Sequence, residues 1–218
     1  MPAAVTARGR RTRERLLEAT AELVAERGFH AVGIADIGAA AGVTGSAIYR
    51  HFPSKQDILV ALLDRVVDDL LSGARTVVAD AATPEAALDG LLRAHVDFAL
   101  RDRALIRVYD QEADHLPDAD RARLRRTQRA YADEWVGVLA RVRPDLSAES
   151  GRAAVHATFG LVNSVADYRS PLLPDDLRAL LLAMAHSALS TPRPDASRAM
   201  THPTVRTGVR PGGRRRPR

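Results

Sequence analysis

Cysteine is absent from the 218 residues. That excludes a disulfide framework, a cysteine zinc site and cysteine catalysis, and it fits the reducing cytoplasm in which the chain is expected to work. Lysine occurs once, at Lys55, so every other cation is arginine. No run of about 18 apolar residues occurs, so no membrane span is expected. Residues 1–15 lack the apolar run that a secretory leader needs. Catalytic signatures are missing as well. The seven histidines form no H-E-x-x-H and no pair at metal-ligand spacing, and there is no G-x-S-x-G and no phosphate loop. Nothing groups a nucleophile with a base. No catalytic residue, metal ligand or cofactor is assigned, and an enzyme is the least favoured class.

What is present is helix. No stretch alternates as a strand does, and apolar residues recur every three and four positions along most of the chain, so the expected fold is all-α with about nine helices. A chain of this length buries roughly two thirds of its surface and needs no metal or disulfide to hold it. The net charge is +5, unevenly placed. Residues 191–218 hold eight arginines and one acid, a balance of +7, leaving about −2 for residues 1–190. Arg8, Arg10, Arg11, Arg13 and Arg15 add a basic front end. Basic ends on a near-neutral body suggest contact with a polyanion.

The most informative stretch is 33–52, GIADIGAAAGVTGSAIYRHF. Ile34, Ile37 and Ala41 share one face of a short helix. Gly42 stands where that helix must stop, since glycine closes a helix in the left-handed conformation without a Cβ penalty. Thr44 is placed to cap a second helix over 45–51. Helix, tight glycine turn, helix is the pattern of a helix-turn-helix reader. In the second helix Gly45, Ser46 and Ala47 are small enough for close approach to DNA. Tyr49 and Arg50 can donate to phosphate or guanine, while Ile48 and Phe52 anchor the helix to its own domain.

The chain divides into a flexible basic arm (1–10), a helix-turn-helix head (11–54), a helical core (55–190) and a disordered Arg-rich tail (191–218). In the head, a helix over 11–27 ends at Gly28 and Phe29 serves as an aromatic anchor. Ser54 with Asp57 reads as a capping box for a long helix. Its apolar stripe, Ile58/Leu59, Leu62/Leu63, Val66/Val67 and Leu70/Leu71, is wide enough to bury against two bodies, as a connector between head and core would. Thr83-Pro84, Leu116-Pro117 and Ser147 open later helices, the last running to about Tyr168. That helix carries small residues at Ala153, Ala157, Gly160 and Ser164, which permit close helix approach. The ninth helix, to Ser190, carries Leu177, Leu180, Leu181, Met184 and Ala188.

Residues 12–60 resemble the DNA-binding head of the TetR/AcrR family of repressors. The matching residues are 15–28, Phe29, the run IGAAAGVT at 37–44, the run IYRHF at 48–52, Lys55 and Leu59. The resemblance implies that Thr44, Tyr49 and His51 contact phosphates or position the reading helix. It implies that Gly45, Ser46, Ala47 and Arg50 lie nearest the bases, and that Lys55 holds a phosphate. Two departures stand out: Val32-Gly33 replaces the usual hydroxyl cap of the second helix, and the usual glycine at Ser46 is one place earlier, at Gly45. The family mechanism implies a homodimer on a palindromic double-stranded DNA operator, released when a small molecule enters the core. The small-residue stripe and the apolar face of the last two helices, the eighth and ninth, mark them as the dimer seam. Polar and aromatic residues on otherwise apolar faces, His95, Phe98, Tyr109, Tyr131, Trp135, Phe159 and Asn163, are the candidate ligand-binding set for a hydrophobic effector. Residues 116–144 resemble actinobacterial members linked to lipid and acyl-CoA metabolism. The competing class is a non-specific DNA-binding protein driven by the basic tail, which would show steep salt dependence and little sequence preference.

Overall fold

Among the described residues, 7–190 of a computed structural model, the chain is helical throughout and has no strand. Nine α-helices follow in order: α1 (Ala7–Arg27), α2 (Ile34–Ala40), α3 (Gly45–Ile48), α4 (Lys55–Asp80), α5 (Pro84–Arg101), α6 (Arg103–Glu112), α7 (Asp118–Val142), α8 (Ala148–Asn163) and α9 (Pro174–Ser190). Single 3-10 turns follow α6 and α8. The 191–218 tail and the first six residues of the basic arm lie outside the described residues. Residues 7–10 of that arm belong to α1, four residues earlier than the sequence indicates.

The helix ends obey local chemistry. Gly28 (φ +78°) and Gly42 (φ +65°) take the left-handed conformation that closes α1 and α2. Ser54 Oγ accepts from the Asp57 amide at 3.1 Å, Thr83 Oγ1 from Ala86 at 3.1 Å and Ser147 Oγ from Ser150 at 3.2 Å. Each such cap is worth about 1 kcal/mol. Gly33 has no side chain to cap α2. Asp36 supplies the missing contact from the other direction, its Oδ2 accepting the Gly33 amide at 2.8 Å.

Two buried clusters organise the packing, and α4 belongs to both. Its first half (Ile58, Leu59, Leu62, Leu63, Val67) joins Leu16, Val24, Ile37, Ile48 and Phe52 of the head, together with Leu105 and Val108 of α6 and Leu124 of α7. Its second half, at Leu70, Leu71, Ala74 and Val77, packs with α5, α7, α8 and α9 around Leu92, Trp135, Leu139 and Val155. At 26 residues and about 1.5 Å per residue, α4 reaches about 39 Å. No packing boundary falls at residue 54: the core of the head continues into α4, α6 and the start of α7. Phe29 is half-buried at the edge of that cluster, packed against it rather than set inside it.

Two other boundaries differ from the sequence reading. Regular α-helix in α3 stops at Ile48, and residues 49–51 continue as a turn in which Ile48 O accepts from His51 and Phe52 at 2.7 and 2.9 Å. The eighth helix ends at Asn163, not near Tyr168, and closes through the 3-10 turn Ser164–Ala166.

Candidate nucleic-acid interface and core cavity

The turn between α2 and α3 is set by two glycines. Gly42 provides the left-handed backbone. Gly38 provides the approach: a Cβ there would lie 2.9 Å from Ile48 Cδ1 and 3.0 Å from Val43 O, closer than atoms pack. With α3 held this near α2, Ile48 and Phe52 point inward, 0% and 2% exposed. The other side of α3 faces solvent: Thr44, Gly45, Ser46, Tyr49 and Arg50 are exposed, Ala47 and His51 half-exposed. Tyr49, 56% exposed, is a large aromatic that its own fold does not use. All seven expected DNA-contacting residues of the turn and reading helix therefore lie in one continuous segment.

Thr44 caps α3 with its backbone only. Its carbonyl accepts from Ala47 at 2.9 Å, while its hydroxyl lies 3.3 Å from Ser46 Oγ and makes no cap bond. Lys55 sits differently from the others. Its ammonium lies over the Phe29 ring (4.3 Å) and donates to His30 O at 3.4 Å, so the α1–α2 loop already holds this charge. That loop is tied to α6 as well, through His30 Nε2 and Glu112 Oε1 at 2.7 Å.

In the core, a cavity of about 340 Å³ lies between α4, α5, α6, α7 and α8. Six of the seven candidate ligand residues line it: His95, Phe98, Tyr109, Tyr131, Phe159 and Asn163. Trp135 does not. It is fully buried behind the lining, with its ring 5.8 Å from His95 and 5.1 Å from Phe159. Leu63, Val66, Val67 and Leu70 of α4 form one wall. Tyr131 and Phe159 stack at 5.4 Å, and Tyr109 donates to Gln128 Oε1 at 2.5 Å.

The cavity favours uncharged groups inside. Burial pushes His95 down to about 4, and the neighbouring Asn163 offsets only part of that. Burial also pushes Tyr131 and Tyr109 up, so both phenols keep their protons. The sequence reading missed four polar residues at the mouth: Asp110, Arg125, Arg129 and His156. Their only sequence signal is that Arg125, Gln128, Arg129 and Ala132 share one face of α7. A larger cleft of about 480 Å³ lies between α1, α4 and α5, its charged lining mixed: Glu18, Glu22, Arg65, Asp69, Arg101 and Asp102. It shares Phe98 and Tyr131 with the first but none of the other candidates. Among the described residues no helix is long and apolar enough to cross a membrane, and no cluster could hold a metal ion.

On α9, Leu177, Leu181, Ala185 and Leu189 are buried, and two polar contacts fix that face to α5: Arg178 to Asp97 (2.5 and 3.0 Å) and His186 to Asp89 (3.0 Å). Leu180 and Met184 consequently point away, 46% and 45% exposed. On the neighbouring α8, Ala153, Ala157 and Gly160 are exposed too, as is Ser164 in the turn that follows it, and a Cβ at Gly160 would meet nothing within 4 Å.

Comparison with known proteins matches two family models. Residues 16–62 match "Bacterial regulatory proteins, tetR family", and residues 81–170 match "Tetracyclin repressor-like, C-terminal domain". The HTH-type transcriptional repressor KstR2 of Rhodococcus jostii is 33% identical over 132 residues, covering 60% of this chain and 64% of that protein. KstR2 of Mycobacterium tuberculosis H37Rv is 31% identical over 144 residues, covering 63% of this chain and 72% of that protein. Among solved structures, the transcriptional regulator FadR from Bacillus subtilis, in complex with stearoyl-CoA, shares the fold. Its TM-score is 0.63 at 21% identity, covering 81% of this chain and 95% of that one.

Proposed function

Because the chain belongs to the tetR family of bacterial regulatory proteins, we propose that it is a homodimeric transcriptional repressor that binds a palindromic operator and releases it when a hydrophobic effector fills the core cavity. The observation that carries this reading is the position of α4. Ile58 and Leu59 at its start belong to the buried cluster of the head and Lys55 is held by the α1–α2 loop, while Val66, Val67 and Leu70 wall the cavity. A molecule that displaces that wall acts on the element that carries the reader.

In this reading residues 7–54 form the head and 55–190 the effector and dimer unit, with α4 shared. Gly45, Ser46, Ala47 and Arg50 face base edges. Thr44, Tyr49 and His51 contact phosphates, and Lys55 reaches a phosphate by leaving its place over Phe29. The exposed α8 and α9 faces pair across a two-fold axis, setting two reading helices about 34–36 Å apart. The effector binds the released arrangement better than the DNA-bound one. A hundredfold preference corresponds to about 3 kcal/mol and displaces most of the bound population. The stearoyl-CoA held by the FadR neighbour and the apolar lining favour an effector of lipid or acyl-CoA type. The work is done on DNA in the cytoplasm and requires no catalytic group.

The test is selection of genomic fragments by the full chain at about 150 mM salt, followed by sequencing of what is retained. A shared palindrome with half-sites one helical turn apart is expected. Recovery without a shared sequence would instead support non-specific binding through the +7 tail.

A further inference from the structure

Among the described residues, three buried side-chain atoms have no hydrogen-bond partner: His95 Nε2, Trp135 Nε1 and Asn163 Oδ1. His95 and Asn163 both line the core cavity, and His95 is 3% exposed. They are close enough for the amide to act on the ring, yet no hydrogen bond of ordinary geometry joins them. An unmet buried donor or acceptor is costly, so native structures rarely keep one without an occupant that serves it.

The surroundings fix what each atom offers. The Tyr131 hydroxyl lies 3.1 Å from His95 Nδ1 and, among the described residues, has no other acceptor. Donation to Nδ1 satisfies that proton and leaves the proton of the neutral imidazole on Nε2. The wall therefore presents one donor, Nε2–H, and one acceptor, Asn163 Oδ1. A carbonyl or a carboxylate meets only the donor and a methyl group meets neither. A hydroxyl accepts from His95 and donates to Asn163.

The mouth offers the opposite chemistry. Arg125 is engaged by Asp114 at 2.8 Å, while Arg129, exposed at the mouth, pairs with no carboxylate among the described residues. Asp110 is the acid lining this cavity, and burial together with Asp167 pushes its pKa up.

We propose that the effector is an amphipathic hydroxy acid, its hydroxyl seated between His95 and Asn163, its apolar body against Phe98, Phe159, Val66 and Leu70, and its anionic group at Arg129. The inference rests on the reading of this cavity as the effector site. It is tested without DNA, by calorimetric titration of the full chain. The probes are terminal hydroxy carboxylic acids of about 8 to 16 carbons, a span suited to a cavity of this size, the unsubstituted acids of equal length, and the corresponding alcohols.

At the length that fits, the hydroxy acid should bind at least tenfold more tightly than its unsubstituted parent, although the parent is more apolar. Asn163→Leu, at a half-buried position, should reverse that order. Arg129→Gln should weaken the acids severalfold and leave the alcohols unchanged. A parent acid that binds equally or better at every length would overturn the proposal, because a trapped water would then serve the pair. So would the absence of binding across the series. Failure here leaves operator selection untouched, and failure to select an operator leaves this titration intact.

Discussion

Gly38 fixes the distance between the two helices that make the reader. A Cβ at this position would press on the Ile48 side chain and on the backbone oxygen of Val43 at once, and only the side chain can give. Gly38→Ala should therefore lower stability by about 1–3 kcal/mol, the usual penalty of overpacking. It should also weaken operator binding, because α3 is pushed off its seat. Urea unfolding beside an operator titration checks both, and unchanged values for the two would contradict the packing. His95 makes a second prediction at this scale. Its folded pKa is about 4 against about 6.5 unfolded. Between those values the unfolded chain binds a proton that the folded chain refuses. Stability due to this residue is whole above pH 6.5 and falls by up to about 3 kcal/mol as the pH drops toward 4. His95→Phe should flatten the stability curve across that window. A slope unchanged by the substitution would mean that the ring is not held neutral.

At the scale of the element, α4 matters most, and its start depends on Ser54. Ser54→Ala should cost about 1 kcal/mol, measured as a lower urea midpoint, and a change below about 0.3 kcal/mol would show that Asp57 alone suffices. The cap, the double-sided apolar stripe and the glycine stops at Gly28 and Gly42 were all readable from the sequence, because each is a local demand that a specific residue type meets. The end of α3 was not, since Tyr49, Arg50 and His51 are as compatible with helix as with the turn they form. Nor was the Asp36 bond to Gly33, which stands in for the side-chain cap that Gly33 lacks. Six cavity residues were legible as aromatic or polar intrusions on apolar faces. Trp135 satisfies the same pattern yet stands one layer behind. Arg129 and Asp110 escaped notice because an exposed charge on a helix looks like ordinary solvated surface until a neighbouring helix makes it the rim of a cavity.

At the scale of the whole molecule, the outer faces of α8 and α9, like Tyr168, Leu172 and Leu173 in the segment that joins them, are left exposed by the described residues. The inner face of α9 is buried against α5 and α8, which leaves Leu180 and Met184 about half exposed on the outer side. Met184→Glu should leave the monomer folded, since the side chain is 45% exposed, and should shift the sedimentation coefficient from dimer to monomer. A variant that sediments as wild type would move the seam elsewhere. Operator affinity should fall with the dimer, because each monomer reaches only one half-site. The division of charge between a +7 tail and a slightly acidic body was legible in the sequence alone, whereas the sharing of α4 and α6 between two buried clusters emerges only from tertiary packing.

The most direct measurement is a titration of the full chain, and of the chain ending at residue 190, against the selected operator and a scrambled duplex of equal length at about 150 mM salt. If the head reads sequence, the operator is preferred by roughly a thousandfold or more. That preference survives removal of the tail, while overall affinity and its salt dependence decline. Equal affinity for both duplexes, lost altogether when residues 191–218 are removed, would contradict specific reading by α3 and leave the tail as the DNA-binding element.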